Sequence, residues 1–175
     1  LYAAGGSDRV ALYLNYERQE ESGVYVDGQT YLPAAWVDAN LNERFYWDAN
    51  EEILVYALPE EIVKSDETTV DEDGKKILYR DGDAVYLSLA LIQKYTDVRL
   101  QAYDGEAQKR VFVENNWDPV TVADAAWSAK IRLRGGLKSP IVTEIKRGGT
   151  VTVLEQYDNW ARVMTPDGHI GYMHK

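Results

Sequence analysis

The side chains able to do chemistry in this 175-residue chain are above all carboxylates: 29 Asp and Glu stand against 19 Lys and Arg, for a net charge of −10. Glycoside hydrolysis needs two carboxylates held a few ångströms apart about a sugar. With so many acids, chance pairs abound, and a pair by itself assigns nothing. There is no cysteine, which removes thiolate zinc sites, disulfide frameworks and Cys nucleophiles by inventory. His169 and His174 stand five apart near expected strand ends without a third donor, whereas a metal site needs three or four converging ligands; both read as structural or surface residues. No serine lies in a Gly-x-Ser-x-Gly elbow. The acidic stretch from Lys64 to Gly74 contains the start of a calcium-loop pattern at Asp71, but Gly82 occupies the twelfth position, where that loop requires Glu. It reads as solvated surface. The chain is thus expected to hold no catalytic residue, no metal site and no cofactor.

Recognition is what remains. Tyr157, Trp160 and Tyr172, with Arg132, Arg134 and Arg162 near them in the strand pattern, are the residue types that stack on sugar rings and fork onto carboxylates. They form the candidate ligand-binding face. Trp36, Trp47 and Trp117 each fall at an element end and are expected in a core or in the packing between modules. The negative charge repels a polyanion at long range, and no basic cluster exceeds the pairs Lys109-Arg110 and Lys146-Arg147, so nucleic acid is not expected as a partner. No apolar run approaches the ~20 residues that span a bilayer, and Leu1-Tyr2-Ala3-Ala4 lacks the charged start of a leader. No membrane contact is expected within these residues, and both ends read as boundaries inside a longer protein.

The elements that must position these residues are mainly strands, as thirteen Tyr and five Trp favour. A repeat is plain. Val24-Tyr25-Val26-Asp27-Gly28-Gln29-Thr30-Tyr31-Leu32-Pro33, a helical stretch over 34–41, Phe45-Tyr46-Trp47-Asp48 and Ile53-Leu54-Val55-Tyr56 are echoed 54 to 56 residues later. The echo runs Ile77-Leu78-Tyr79-Arg80-Asp81-Gly82 to Ser88, a helical stretch over 89–95, Leu100 to Asp104 and Arg110 to Val113. Each copy parses as hairpin, short helix, hairpin, because Asp-Gly between β-prone flanks marks a tight turn and the intervening segments carry apolar residues at i, i+3 and i+4. A unit of this size is too small for a lone core and suited to packing as a pair. Before the first copy, Arg9 to Asn15 alternates like a strand and is expected at a sheet edge, followed by a polar loop over Glu17 to Gly23. Thr121 to Ser128 reads as a linker or short helix. From Ala129 onward, five brief strands separated by turns at Gly135-Gly136, Gly148-Gly149, Asp158-Asn159 and Pro166-Asp167-Gly168 predict a small barrel.

That last segment resembles bacterial SH3 domains through Ile131-Arg132-Leu133-Arg134, Lys146-Arg147-Gly148-Gly149 with Thr150 to Leu154, Asp158-Asn159-Trp160-Ala161-Arg162-Val163, and Asp167-Gly168-His169-Ile170-Gly171-Tyr172. The resemblance implies peptidoglycan binding or a spacer role, with Trp160 and Tyr172 at positions that in many members simply pack the barrel. The repeats resemble the stalk-type domain named after the copper amine oxidase N-terminus, through Asp27-Gly28, Tyr31-Leu32-Pro33 and Trp47-Asp48; the second copy departs with Ser88 and Tyr103. Taken in order, stalk, stalk copy and SH3 resemble the front of secreted clostridial proteins that continue into a glycoside hydrolase family 18 barrel. Leu41 to Asp48, Arg134 to Pro140 and Gly168 to Tyr172 carry this likeness. The family 18 signature Asp-x-Asp-x-Glu is not met: Asp81-Gly82-Asp83 leads into Ala84-Val85-Tyr86 and reads as a hairpin turn.

The expected architecture is mainly β with short helices (α+β). Repeat 1 with its N-terminal strand covers 1–60, repeat 2 covers 61–120, a linker 121–128 and the SH3-like barrel 129–175. The resemblance implies a non-catalytic accessory region that targets a chitinase-like catalytic domain, C-terminal in the parent chain, to peptidoglycan or a chitin-like glycan. Its place would be the exterior or cell surface of a Gram-positive bacterium. A spacer or protein-interaction module without a glycan ligand is the alternative.

Overall fold

Turn chemistry sets the first hairpins. Asp27 and Gly28 take φ of +49° and +80°, the paired left-handed conformations of a two-residue hairpin turn, and join strand β2 (Glu17–Val26) to β3 (Gln29–Pro33). The computed structural model describes residues 8–105, 107–117 and 120–175. They form two compact units, divided between Asn116 and Trp117.

In the first unit, β1 (Asp8–Leu14) precedes β2, and helix α1 (Ala34–Asn40) follows β3. Then come β4 (Phe45–Asp48), β5 (Ile53–Ala57) and β6 (Ile62–Ser65), which make a three-stranded sheet of their own. The second copy supplies β7 (Leu78–Asp81), β8 (Ala84–Ser88), α2 (Leu89–Tyr95), β9 (Arg99–Tyr103) and β10 (Lys109–Glu114). The large sheet runs β7-β8-β3-β2-β1-β10-β9. Its centre joins the copies. Leu32 and Leu87, equivalent positions in the repeat, pair with each other, and their neighbours pair crosswise, Tyr31 with Ser88 and Pro33 with Tyr86. A two-fold relation therefore passes through the β3–β8 ladder.

Both copies drain into one core. Leu32, Val37 and Phe45 of the first and Leu87, Ile92 and Val111 of the second belong to a single buried cluster with Val10 and Leu12 of β1. Asn42 ties the copies by hydrogen bonds: its Nδ2 donates to the Tyr56 hydroxyl, the Tyr95 carbonyl and Thr96 Oγ1 at 3.0, 3.2 and 2.9 Å. The later hairpins break the symmetry, because β10 docks parallel to β1 whereas β5 recruits β6.

Three expectations need correction. The strand over Arg9 to Asn15 is internal, between β2 and β10, and not at an edge. The polar stretch Glu17 to Gly23 is the first part of β2, paired with β1; a strand wet along much of its length shows no alternation to read. Thr121 to Asp124, expected as linker or helix, is a strand of the second unit.

That unit contains β11 (Thr121–Asp124), β12 (Ala129–Arg132), β13 (Ile141–Ile145), β14 (Thr150–Gln156), β15 (Trp160–Met164) and β16 (Ile170–His174), in the order β11-β14-β15-β16-β12-β13. Ile131, Val151, Ala161 and Val163 are its buried centre. The described residues are thus mainly β with two short helices, as composition and spacing imply. No helix among the described residues is long and apolar enough to cross a membrane. Trp36 is buried and Trp47 packs against the first core, while Trp117 is 53% exposed.

Candidate functional site

Strand register assembles the face that the sequence singles out. Directly opposed residues of neighbouring antiparallel strands share a sheet face. Arg132 of β12 opposes Tyr172 of β16, Tyr172 opposes Arg162 of β15, and Arg162 opposes Glu155 of β14. Four strands therefore present one row, Arg132–Tyr172–Arg162–Glu155, with an aromatic ring between two guanidinium groups. Trp160 and His174 form the adjacent row on the same face. Their rings meet edge to face, with centroids 5.0 Å apart.

Each member is held by a neighbour. The Arg132 Nη1 donates to the Ser139 carbonyl at 2.9 Å, and Arg162 Nη1 lies 3.5 Å from Glu155 Oε1. Tyr157, in the turn after β14, brings its ring to 6.1 Å from that of Tyr172. Its hydroxyl donates to Glu155 Oε2 at 2.6 Å. That hydrogen bond, reinforced by desolvation and by the carboxylate charge, pushes the Tyr157 phenol up to about 12. Tyr157 thus stays a neutral donor through the physiological range.

Arg134 does not join the group in the same way. It sits in the exposed turn after β12, where its backbone N–H donates to Ser139 Oγ at 2.9 Å. The same turn brings Gly135 against the Trp160 indole, where a β-carbon would stand 3.4 Å from Trp160 Cγ. Trp160 is consequently half-buried, part of its surface closed by Gly135 and His174.

The arrangement offers two forked donors on either side of a phenol ring, beside an exposed tyrosine and an indole edge. It can fork onto a carboxylate while an aromatic surface receives an apolar or sugar-like face. It contains no nucleophile–base pair. Two participants escape sequence reading. Glu155 comes opposite Arg162 only because the β14–β15 register shifts between Val153 and Glu155, and Ser139 contributes through a loop carbonyl. A bulge and a backbone acceptor leave no signature in residue type.

Elsewhere the candidate chemistry stays structural. Asp81 ends β7, Gly82 takes a φ of +61°, and Ala84 begins β8, so this string is a hairpin turn. Asp71 Oδ1 accepts the backbone N–H groups of Asp73 and Lys75 at 2.9 and 3.0 Å. His169 Nε2 lies 3.6 Å from Asp167 Oδ2. Among the described residues, no group of three or more His, Asp or Glu is arranged to hold a metal ion.

Residues 127–175 match the family described as bacterial SH3 domain. Domains of this family are non-catalytic and often serve as cell-wall-binding or accessory modules. The match begins between β11 and β12, so β11 is a sixth strand lying outside it. No curated protein and no solved structure matches the chain.

Proposed function

We propose that this chain is the non-catalytic targeting region of a secreted, glycan-acting enzyme resembling glycoside hydrolase family 18, and that its bacterial SH3-like unit grips peptidoglycan. The row Arg132–Tyr172–Arg162, with Tyr157 and Trp160 beside it, carries the reading. Peptidoglycan presents sugar rings together with free peptide carboxylates, and the face pairs aromatic surface with forked cations. On this reading the duplicated unit is the stalk that the resemblance names, the catalytic barrel follows in the parent protein, and the setting is the surface of a Gram-positive bacterium. A weakly binding module suffices, because tethering raises the effective concentration of the attached enzyme at its substrate.

A spacer without a glycan ligand is the second reading. It draws on the engagement of Trp160 by Gly135 and His174 and of Arg132 by the Ser139 carbonyl, which are packing roles. Co-sedimentation with purified peptidoglycan and with chitin separates the two. The targeting reading expects retention on peptidoglycan, weakened in both Trp160→Ala and Tyr157→Ala; Tyr157 is exposed and its truncation leaves the barrel intact. Retention on neither polymer sinks it in favour of the spacer. Release of reducing sugar by the chain alone, abolished by one carboxylate substitution, would overturn its non-catalytic standing.

A further inference from the structure

The first unit carries a cleft of about 340 Å³ where the two copies meet. Its size falls within the range of about 300–1,000 Å³ typical of ligand sites. Small residues make the space: Ala34 and Ala35 open α1, and Ala84 opens β8. Large rings wall it. Tyr46 is 62% exposed, and Trp47 and Tyr86 are half-buried. Three carboxylates, Asp38, Glu43 and Asp83, stand at its rim, and no Lys, Arg, Asn or Gln lines it.

The cleft does not end there. Pro33 and Tyr86, which face each other across the β3–β8 ladder, also line a neighbouring depression. That second hollow adds Glu20, Glu21 and Asp81, with Arg9 as its one basic lining residue; its remaining acid, Asp8, is paired with Lys109 at 3.4 Å. The Trp47 ring already holds a cation, for the Arg80 guanidinium lies 5.2 Å from its centroid, between Glu52 and Glu67 at 3.3 Å each.

We propose that this aromatic, acid-rimmed track over Pro33 and Tyr86 binds an extended polypeptide segment rich in Lys or Arg. Apolar stems of such side chains lie along rings and proline while their charged ends reach carboxylates. Charge complementarity selects this occupant: carboxylates line both hollows that share the Pro33–Tyr86 pair, and among the described residues no three of them are grouped to hold a metal ion. A neutral hydroxyl-rich glycan would draw no charge pairing from these carboxylates.

Fluorescence anisotropy of a labelled oligolysine, titrated with the full 175-residue chain at low and at physiological ionic strength, provides the test. Binding is expected, and Asp38→Asn/Glu43→Gln/Asp83→Asn should weaken it about tenfold. Tyr46→Ala, which truncates an exposed ring and leaves the core intact, should weaken it too. The control Glu60→Gln/Glu61→Gln/Glu72→Gln removes the same charge outside the track and should leave affinity unchanged. Equal loss in both triple variants assigns the binding to overall charge and overturns the proposal. So does the absence of binding, or tighter binding of an N-acetylglucosamine oligomer than of oligolysine.

Discussion

Tyr16 holds a backbone conformation that tyrosine rarely adopts. With Asn15 it forms the turn between β1 and β2 at φ values of +71° and +48°, a left-handed region that costs a non-glycine residue of order 1 kcal/mol or more. Side chains hold it there. Asn15 Oδ1 accepts the backbone N–H groups of Asn115 and Asn116 at 3.0 and 3.2 Å, and the Tyr16 hydroxyl donates to Glu114 Oε1 at 2.5 Å. Burial, the hydrogen bond and the Glu114 charge push the Tyr16 phenol up to about 12 from 10.0. The folded state therefore keeps its proton where the unfolded chain begins to lose it. The stability this group contributes is complete below pH 10 and is lost as the pH rises from there through about 12. Denaturant midpoints measured from pH 9 upward should fall more steeply for the native chain than for Tyr16→Phe, which has no phenol to titrate. Gly171 is constrained by space and not by φ. A β-carbon there would stand 2.6 Å from Ile131 Cγ2 and 2.7 Å from the Arg132 carbonyl oxygen. Gly171→Ala should cost about 1–3 kcal/mol in urea denaturation of the second unit. An unchanged midpoint would show that the β12–β16 contact yields easily.

At the scale of elements, the helices repay comparison because they are copies. In α2 the Ser88 side chain accepts the Leu91 N–H at 3.1 Å, whereas Pro33 precedes α1 without a side-chain cap. Ser88 is fully buried, so Ser88→Ala should cost about 1 kcal/mol in chemical denaturation. A loss confined to α2 protection in hydrogen exchange, without a change in global stability, would contradict it. Both helices were legible from apolar residues at helical spacing, as were the Asp-Gly hairpins and β13, because those signals are local. The edge strand β6, the polar β2 and β11 were not legible. Glu17 to Ser22 becomes a strand because β1 lies beside it, and Thr121 to Asp124 because β14 offers a ladder; a partner distant in sequence decides each. The candidate site divides the same way. Its aromatic and basic residue types stood out, but the Arg132–Tyr172–Arg162 order and the Glu155 counter-charge are products of register.

For the whole molecule, the division between Asn116 and Trp117 has a practical meaning. The second unit has a small core, and domains of this size are marginal. Its first strand is therefore not dispensable. The backbone of Ala125 exchanges hydrogen bonds with Gly148 and Gly149 at 2.8 Å each, and Ala123 packs against the core. A fragment spanning 117–175 should show a dispersed amide spectrum and a cooperative melt. A fragment beginning at Ala129 should not, since it loses β11 and both contacts. Equal stability of the two would place the folding unit within 129–175, without β11.

The crosswise pairing of Tyr31 with Ser88 and Pro33 with Tyr86 about the Leu32–Leu87 pair is the self-complementary contact of a symmetric dimer, made here within one chain. Two separate subunits joined in this way would fall apart on dilution, since association is governed by mass action. Carrying both halves on one polypeptide removes concentration from the equilibrium. The first unit should consequently melt at the same temperature when diluted a thousandfold, and a melting point that falls on dilution would show that the two halves pair between chains.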